Sequence, residues 1–229
     1  MRSANLNIMI KSLEKSTAHV SRDFIELENL QSNPMSAAKF AESCYQKVKK
    51  LLIDDLSKIR PDYNLIFTDG QKLIRSEKAE YSFIISVIDG FENLLRSNPD
   101  FTSSIALEHC NAAGKKEVIA VVILKIVGGE TSYCEKGFGA FLNNRRIRVS
   151  KRISNMIAAT AEENLVEDKQ ISLRNYGCRS MEIAYVASAR IEKAFFRKDK
   201  SEFLQPLFLL VKEAGGKISE NEKLIVISN

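Results

Sequence analysis

The apolar run Tyr81-Ser82-Phe83-Ile84-Ile85 leads straight into Ser86-Val87-Ile88-Asp89-Gly90-Phe91. The run reads as a strand, and the strand ends on Asp-Gly. A carboxylate at such a strand end is where chemistry on phosphate esters holds a hard cation. Asp-Gly after a strand is also a common turn, in which the acid bonds to nearby backbone. Both readings of Asp89 stay open at this level.

The elements around that strand come in blocks. Leu6, Ile10, Leu13, Val20, Phe24 and Leu27 recur at helical spacing, which predicts a helix from Leu6 to Leu30 that breaks at Ser32-Asn33-Pro34. Phe40, Cys44, Val48, Leu51, Leu52, Leu56 and Ile59 predict a second helix, stopped by Pro61. Strands are expected at Leu65–Phe67, Tyr81–Ile88, Ser104–Leu107, Val118–Leu124 and Thr131–Cys134, with a charged loop over 71–80. Further on, the pattern predicts a helix over Ser180–Arg190, a strand at Ala194–Phe196, a helix over Leu204–Ala214 closed by Gly215-Gly216, and a strand at Leu224–Ile227. Helices and strands in blocks imply an α+β or layered α/β sandwich. There is no repeat, linker or low-complexity tract.

At 229 residues, 45% of them hydrophobic and 28% charged, the chain has enough apolar surface for a sizeable core. Its net charge of +5 fits either an anionic partner or an ordinary solvated surface. Cys44, Cys110, Cys134 and Cys178 form no CxxC pair, which speaks for a reducing compartment and against a zinc site. The polar N-terminus has no signal-peptide core, and no apolar run approaches the ~18 residues of a membrane span, so a cytoplasmic protein is expected. His19 and His109 stand alone, and no phosphate-binding glycine loop is present.

Several segments together resemble the inositol monophosphatase family, including its SuhB-type bacterial members. Glu135-Lys136-Gly137-Phe138-Gly139-Ala140-Phe141-Leu142-Asn143, then Arg145-Arg146-Ile147-Arg148-Val149-Ser150, is similar to its KGxGAFxNG…IxVS segment. From the residues alone it is a hairpin that packs and does no chemistry. Gly177 through Ala187 resembles its GSAALDLAYVA helix, and Val211-Lys212-Glu213-Ala214-Gly215-Gly216 its hVxEAGG helix end. The resemblance implies one domain over 1–229, a layered α-β-α-β-α sandwich with sub-regions of about 1–150 and 151–229. It also implies a homodimer, and a final C-terminal helix that this chain is expected to lack.

The strand-end motif resembles the family's Asp-Pro-Ile-Asp-Gly-Thr, but Ser86, Val87 and Phe91 replace the first Asp, the Pro and the Thr. Members of that family hydrolyse phosphomonoesters with magnesium held by convergent carboxylates. At the other positions the resemblance places Tyr45 and Thr68 for acids, with Asp69 beside Thr68. The late Asp falls on Phe203 or, one residue on, Leu204. Asp89 and Asp69 are what remains for a metal, and Tyr45 and Phe91 are expected to project towards the site. Gly90 and Gly177 are the implied substrate-side positions. No cofactor is expected, or magnesium where activity remains.

The implied role is a non-catalytic binding or assembly protein, with ribosomal RNA transcription or maturation as the setting suggested by SuhB-type relatives. The alternative is a weak magnesium-dependent phosphomonoesterase of inositol or sugar monophosphates using Asp89 and Asp69. A third reading uses Arg145, Arg146, Arg148, Lys151 and Arg152 to bind RNA or an acidic protein surface. The same residues also suit a solvated strand edge guarded by charge.

Overall fold

A computed structural model describes residues 2–161 and 171–229. Helix α1 (Ala4–Asn29) starts where the Ser3 hydroxyl accepts from the Leu6 N–H at 3.1 Å. Helix α2 (Pro34–Ile59) starts at Pro34, earlier than the apolar spacing from Phe40 indicates, because Asn33 caps it and proline suits a first helical position. The buried stripes of the two helices pack on each other and on one face of a large sheet.

That sheet contains β1 (Asn64–Phe67), β2 (Lys72–Leu73), β3 (Tyr81–Asp89), β4 (Thr102–Cys110), β5 (Lys116–Lys125), β6 (Glu130–Glu135), β7 (Gly139–Leu142) and β8 (Arg145–Ile147). Its order is β2-β1-β3-β4-β5-β6-β7-β8, with only β1 and β3 parallel among neighbours. Both faces are covered, which explains the unbroken apolar run of β5. Ala120, Val122 and Leu124 face α1 and α2, while Val121 and Ile123 face the second core.

The second core is a helical layer between two sheets. Helices α4 (Arg179–Ala187) and α5 (Leu209–Glu213) contact the first sheet on one side and the second on the other. The short α3 (Phe91–Leu95) lies at the end of β3. The second sheet has β9 (Ile157–Thr160), β10 (Ser172–Arg174), β11 (Lys193–Arg197), β12 (Lys217–Glu220) and β13 (Leu224–Ser228) in the order β10-β9-β11-β13-β12. The architecture is the expected layered α+β sandwich, and the described residues supply an α-β-α-β stack of it.

Several elements differ from the sequence pattern. The region 204–214 is not one helix: a 3-10 turn over Glu202–Phe208 precedes α5, because Pro206 lacks an N–H and crowds the preceding turn. The charged loop 71–80 contains the short edge strand β2. Strands β9, β10 and β12 are too short and too mixed to stand out in the sequence.

Two of the motif segments meet. The Glu213 carboxylate accepts from the N–H of Gly137 and of Gly139, both at 2.8 Å, and so holds the β6–β7 turn. At Gly216 a Cβ would come within 2.6 Å of Val211 Cγ1 and of the Ser228 carbonyl, so the chain passes there only as glycine. No helix among the described residues is long and apolar enough to cross a membrane.

Candidate functional site

The end of β3 carries a bulge. Ser86 pairs with Ser104 but Asp89 pairs with Thr102, so three steps on β3 oppose two on β4. The extra residue re-aims Asp89. Its carboxylate meets the start of α4, where Oδ2 accepts from the Ser180 N–H at 2.7 Å and the Ser180 hydroxyl at 2.5 Å. Cys178 Sγ lies 3.6 Å from the same oxygen, and the Thr102 hydroxyl is 2.5 Å from Ser180 Oγ. Asp89 thus serves as the cap of α4.

Two glycines permit this approach. Gly90 has φ +82°, and a Cβ there would lie 2.9 Å from the Asp100 carbonyl. Gly177 has φ +67° and packs on the Asn93 side chain. Asn93 in turn donates to the carbonyls of Asp100 at 2.6 Å and Tyr176 at 2.7 Å, tying the two loops together. Burial pushes the Cys178 thiol well above its ordinary value, and the charge of Asp89 adds to this. Burial also pushes Glu182, one turn into α4, up to about 7, against the pull of Arg179 and the Tyr176 backbone.

Asp69 belongs to a separate cluster. The Tyr45 hydroxyl donates to its Oδ2 at 2.7 Å, Lys49 Nζ lies 2.5 Å from the same oxygen, and Gln71 N–H donates to Oδ1 at 3.1 Å. Burial pushes the Asp69 carboxyl up, but Lys49, Tyr45 and Gln71 outweigh it and hold it below the usual range. Burial, with Asp69 alongside, drives the Tyr45 phenol upward. The Tyr45 ring meets Phe91 edge-on at 6.1 Å between centroids. Phe203 is half exposed and lines a cavity of about 420 Å³ with Ile66, Ile84, Val118, Glu202 and Pro206. Thr68 follows β1, its N–H donating to the Ile85 carbonyl at 2.9 Å, and Ser86 sits in β3.

The structure therefore brings Tyr45, Asp69 and Phe91 together, but it gives Asp69 and Asp89 different partners. Among the described residues no three His, Cys, Asp or Glu side chains converge as a metal site. Magnesium needs oxygen donors in near-octahedral array. Phenol, phenyl and ammonium groups around one committed carboxylate do not fit it. Sequence reasoning missed Lys49, Ser180 and Asn93. Lys49 had a signal, since it lies one helical turn beyond Tyr45 and shares its face. Ser180 had none, being 91 positions from its partner Asp89.

The arginine segment lies on the edge strand β8 and the connection after it, and all five basic residues are exposed. Arg146 lies against Gly139, and Arg152 pairs with buried Glu192 at 3.1 Å. Arg145, Arg148 and Lys151 also extend from this surface.

The described residues thus build a layered α+β sandwich with an acid-glycine turn at the end of a central strand. The chain is 30% identical over 232 residues to the inositol-1-monophosphatase of Rhizobium meliloti (strain 1021), covering 94% of this chain and 85% of that protein. It is 29% identical over 235 residues to the Nus factor SuhB of Pseudomonas aeruginosa, covering 94% and 84%. The solved extragenic suppressor protein SuhB from Bartonella henselae matches with a TM-score of 0.83 at 28% identity, over 99% of this chain and 94% of that one. No protein-family model matches the chain. On these likenesses the chain belongs to the inositol monophosphatase family.

Proposed function

We propose that this chain is a member of the family that has lost metal-dependent hydrolysis and acts as a binding or assembly protein. One observation carries the reading: both remaining carboxylates are engaged by the chain itself. Asp89 caps α4 through Ser180, and Asp69 is held by Lys49 and Tyr45. Tyr45, Thr68, Ser86 and Phe203, at the positions where the resemblance expects acids, supply no carboxylate. A relative named Nus factor SuhB supports the transcription machinery as the partner class. A homodimer is part of the proposal, checked by light scattering.

The test is magnesium calorimetry with a phosphate-release assay on inositol 1-phosphate. No binding heat and no turnover are expected. Turnover abolished by Asp89→Asn, in a variant that still folds, would overturn the reading in favour of a phosphomonoesterase using Asp89 and Asp69. A second reading, RNA binding, is favoured by the exposure of Arg145, Arg148 and Lys151 on one edge segment.

A further inference from the structure

The donors around Asp69 do not suit magnesium, yet the site holds a cation. We propose that the Lys49 ammonium is the resident cation of this site, neutralising Asp69 and closing it to a metal ion. The inference rests on the non-catalytic reading above.

Lysine ends normally sit in water, but the Lys49 side chain is only 12% exposed. Its Nζ lies 2.5 Å from Asp69 Oδ2 and 5.1 Å from the centre of the Phe67 ring, whose face attracts cations. The carboxylate is shared with the Tyr45 hydroxyl and the Gln71 N–H, so three donors hold one acid. Tyr45 and Phe91 form the wall beside it. A dication arriving at Asp69 must part this ion pair and then remain beside the displaced ammonium. Like charges a few ångströms apart in a half-buried site repel strongly. Lys49 is therefore sufficient to exclude magnesium even where acids are restored around it. It also fastens α2 to the turn after β1, a fastening that a metal ion bridging two carboxylates could provide.

The experiment compares Tyr45→Asp with Thr68→Glu in two backgrounds, Lys49 intact and Lys49→Ala. Magnesium binding is read by calorimetry and by the change in Tm on adding millimolar magnesium chloride. With Lys49 intact, no heat and no shift in Tm are expected. With Lys49→Ala, millimolar binding is expected, with Tm rising as magnesium is added. Equal magnesium binding in the two backgrounds overturns the inference.

A second comparison uses single changes in the otherwise unaltered chain and decides the matter should the combined variants not fold. Lys49→Met is expected to lower Tm by on the order of 5 °C, while Lys49→Arg, which keeps the charge, stays near the wild type. Lys49→Met that melts with the wild type overturns the inference and leaves the non-catalytic reading standing. Magnesium-dependent phosphate release by the unaltered chain overturns that reading itself.

Discussion

Glu182 shows how one residue sets a pH dependence. It is 3% exposed, and burial lifts its carboxyl from the ordinary 4.5 to about 7. The folded chain therefore holds a proton that the unfolded chain releases between those values. The stability from this group is fully present below the unfolded value and is lost as pH rises through 7. Glu182→Gln should flatten that slope and stabilise the protein at pH ~8 by up to about 3 kcal/mol. Urea unfolding at pH ~5 and ~8 checks this, and an unchanged slope would show that the carboxyl is ionised throughout. At the same scale, that Tyr45, Thr68, Ser86 and Phe203 carry no carboxylate was legible in the sequence, because residue type alone decides it. What holds Asp69 and Asp89 was not legible.

Among elements, the β6–β7 hairpin depends on the end of α5 through Glu213. Its two carboxylate oxygens satisfy the backbone N–H groups of Gly137 and Gly139. Glu213→Ala should cost roughly 1–3 kcal/mol, since it removes charge-assisted bonds from both. Hydrogen exchange at Gly137 and Gly139 should accelerate selectively, and uniform exchange across the sheet would contradict the assignment. This link gives a physical cause for two motif segments about 75 positions apart, which the sequence showed only as separate likenesses. The long periodic helices α1 and α2 and the apolar strands β3 and β5 were legible for the opposite reason: burial repeats along their own length. The helical spacing over 204–214 misled because Pro206 breaks the hydrogen-bond ladder without disturbing the apolar pattern.

Across the whole molecule, a modest net charge of +5 leaves RNA binding dependent on local clustering. Arg146 and Arg152 have contacts within the fold, against Gly139 and with Glu192. Arg145 and Arg148 are the better test. Should RNA bind here, changing both to Ala should weaken binding without regard to sequence and flatten the salt dependence by about 1–2 units of log–log slope. Binding by the variant with unchanged affinity and slope would remove this edge from consideration. The layered arrangement itself follows from the two cores, one under α1 and α2 and one around α4 and α5, which between them cover both faces of the first sheet.

By itself the sequence determined the long helices, the apolar strands and the family pattern, because helical and strand periodicity and side-chain type are local properties. Only the tertiary structure decided that Asp89 is spent on capping α4 and that Lys49 lies against Asp69. Those pairings join residues 91 and 20 positions apart, and they depend on a bulge and on how a helix packs over a strand end. Such contacts form only when the burial of two cores has already met the entropy of closing the loops between them, and no local pattern records that outcome.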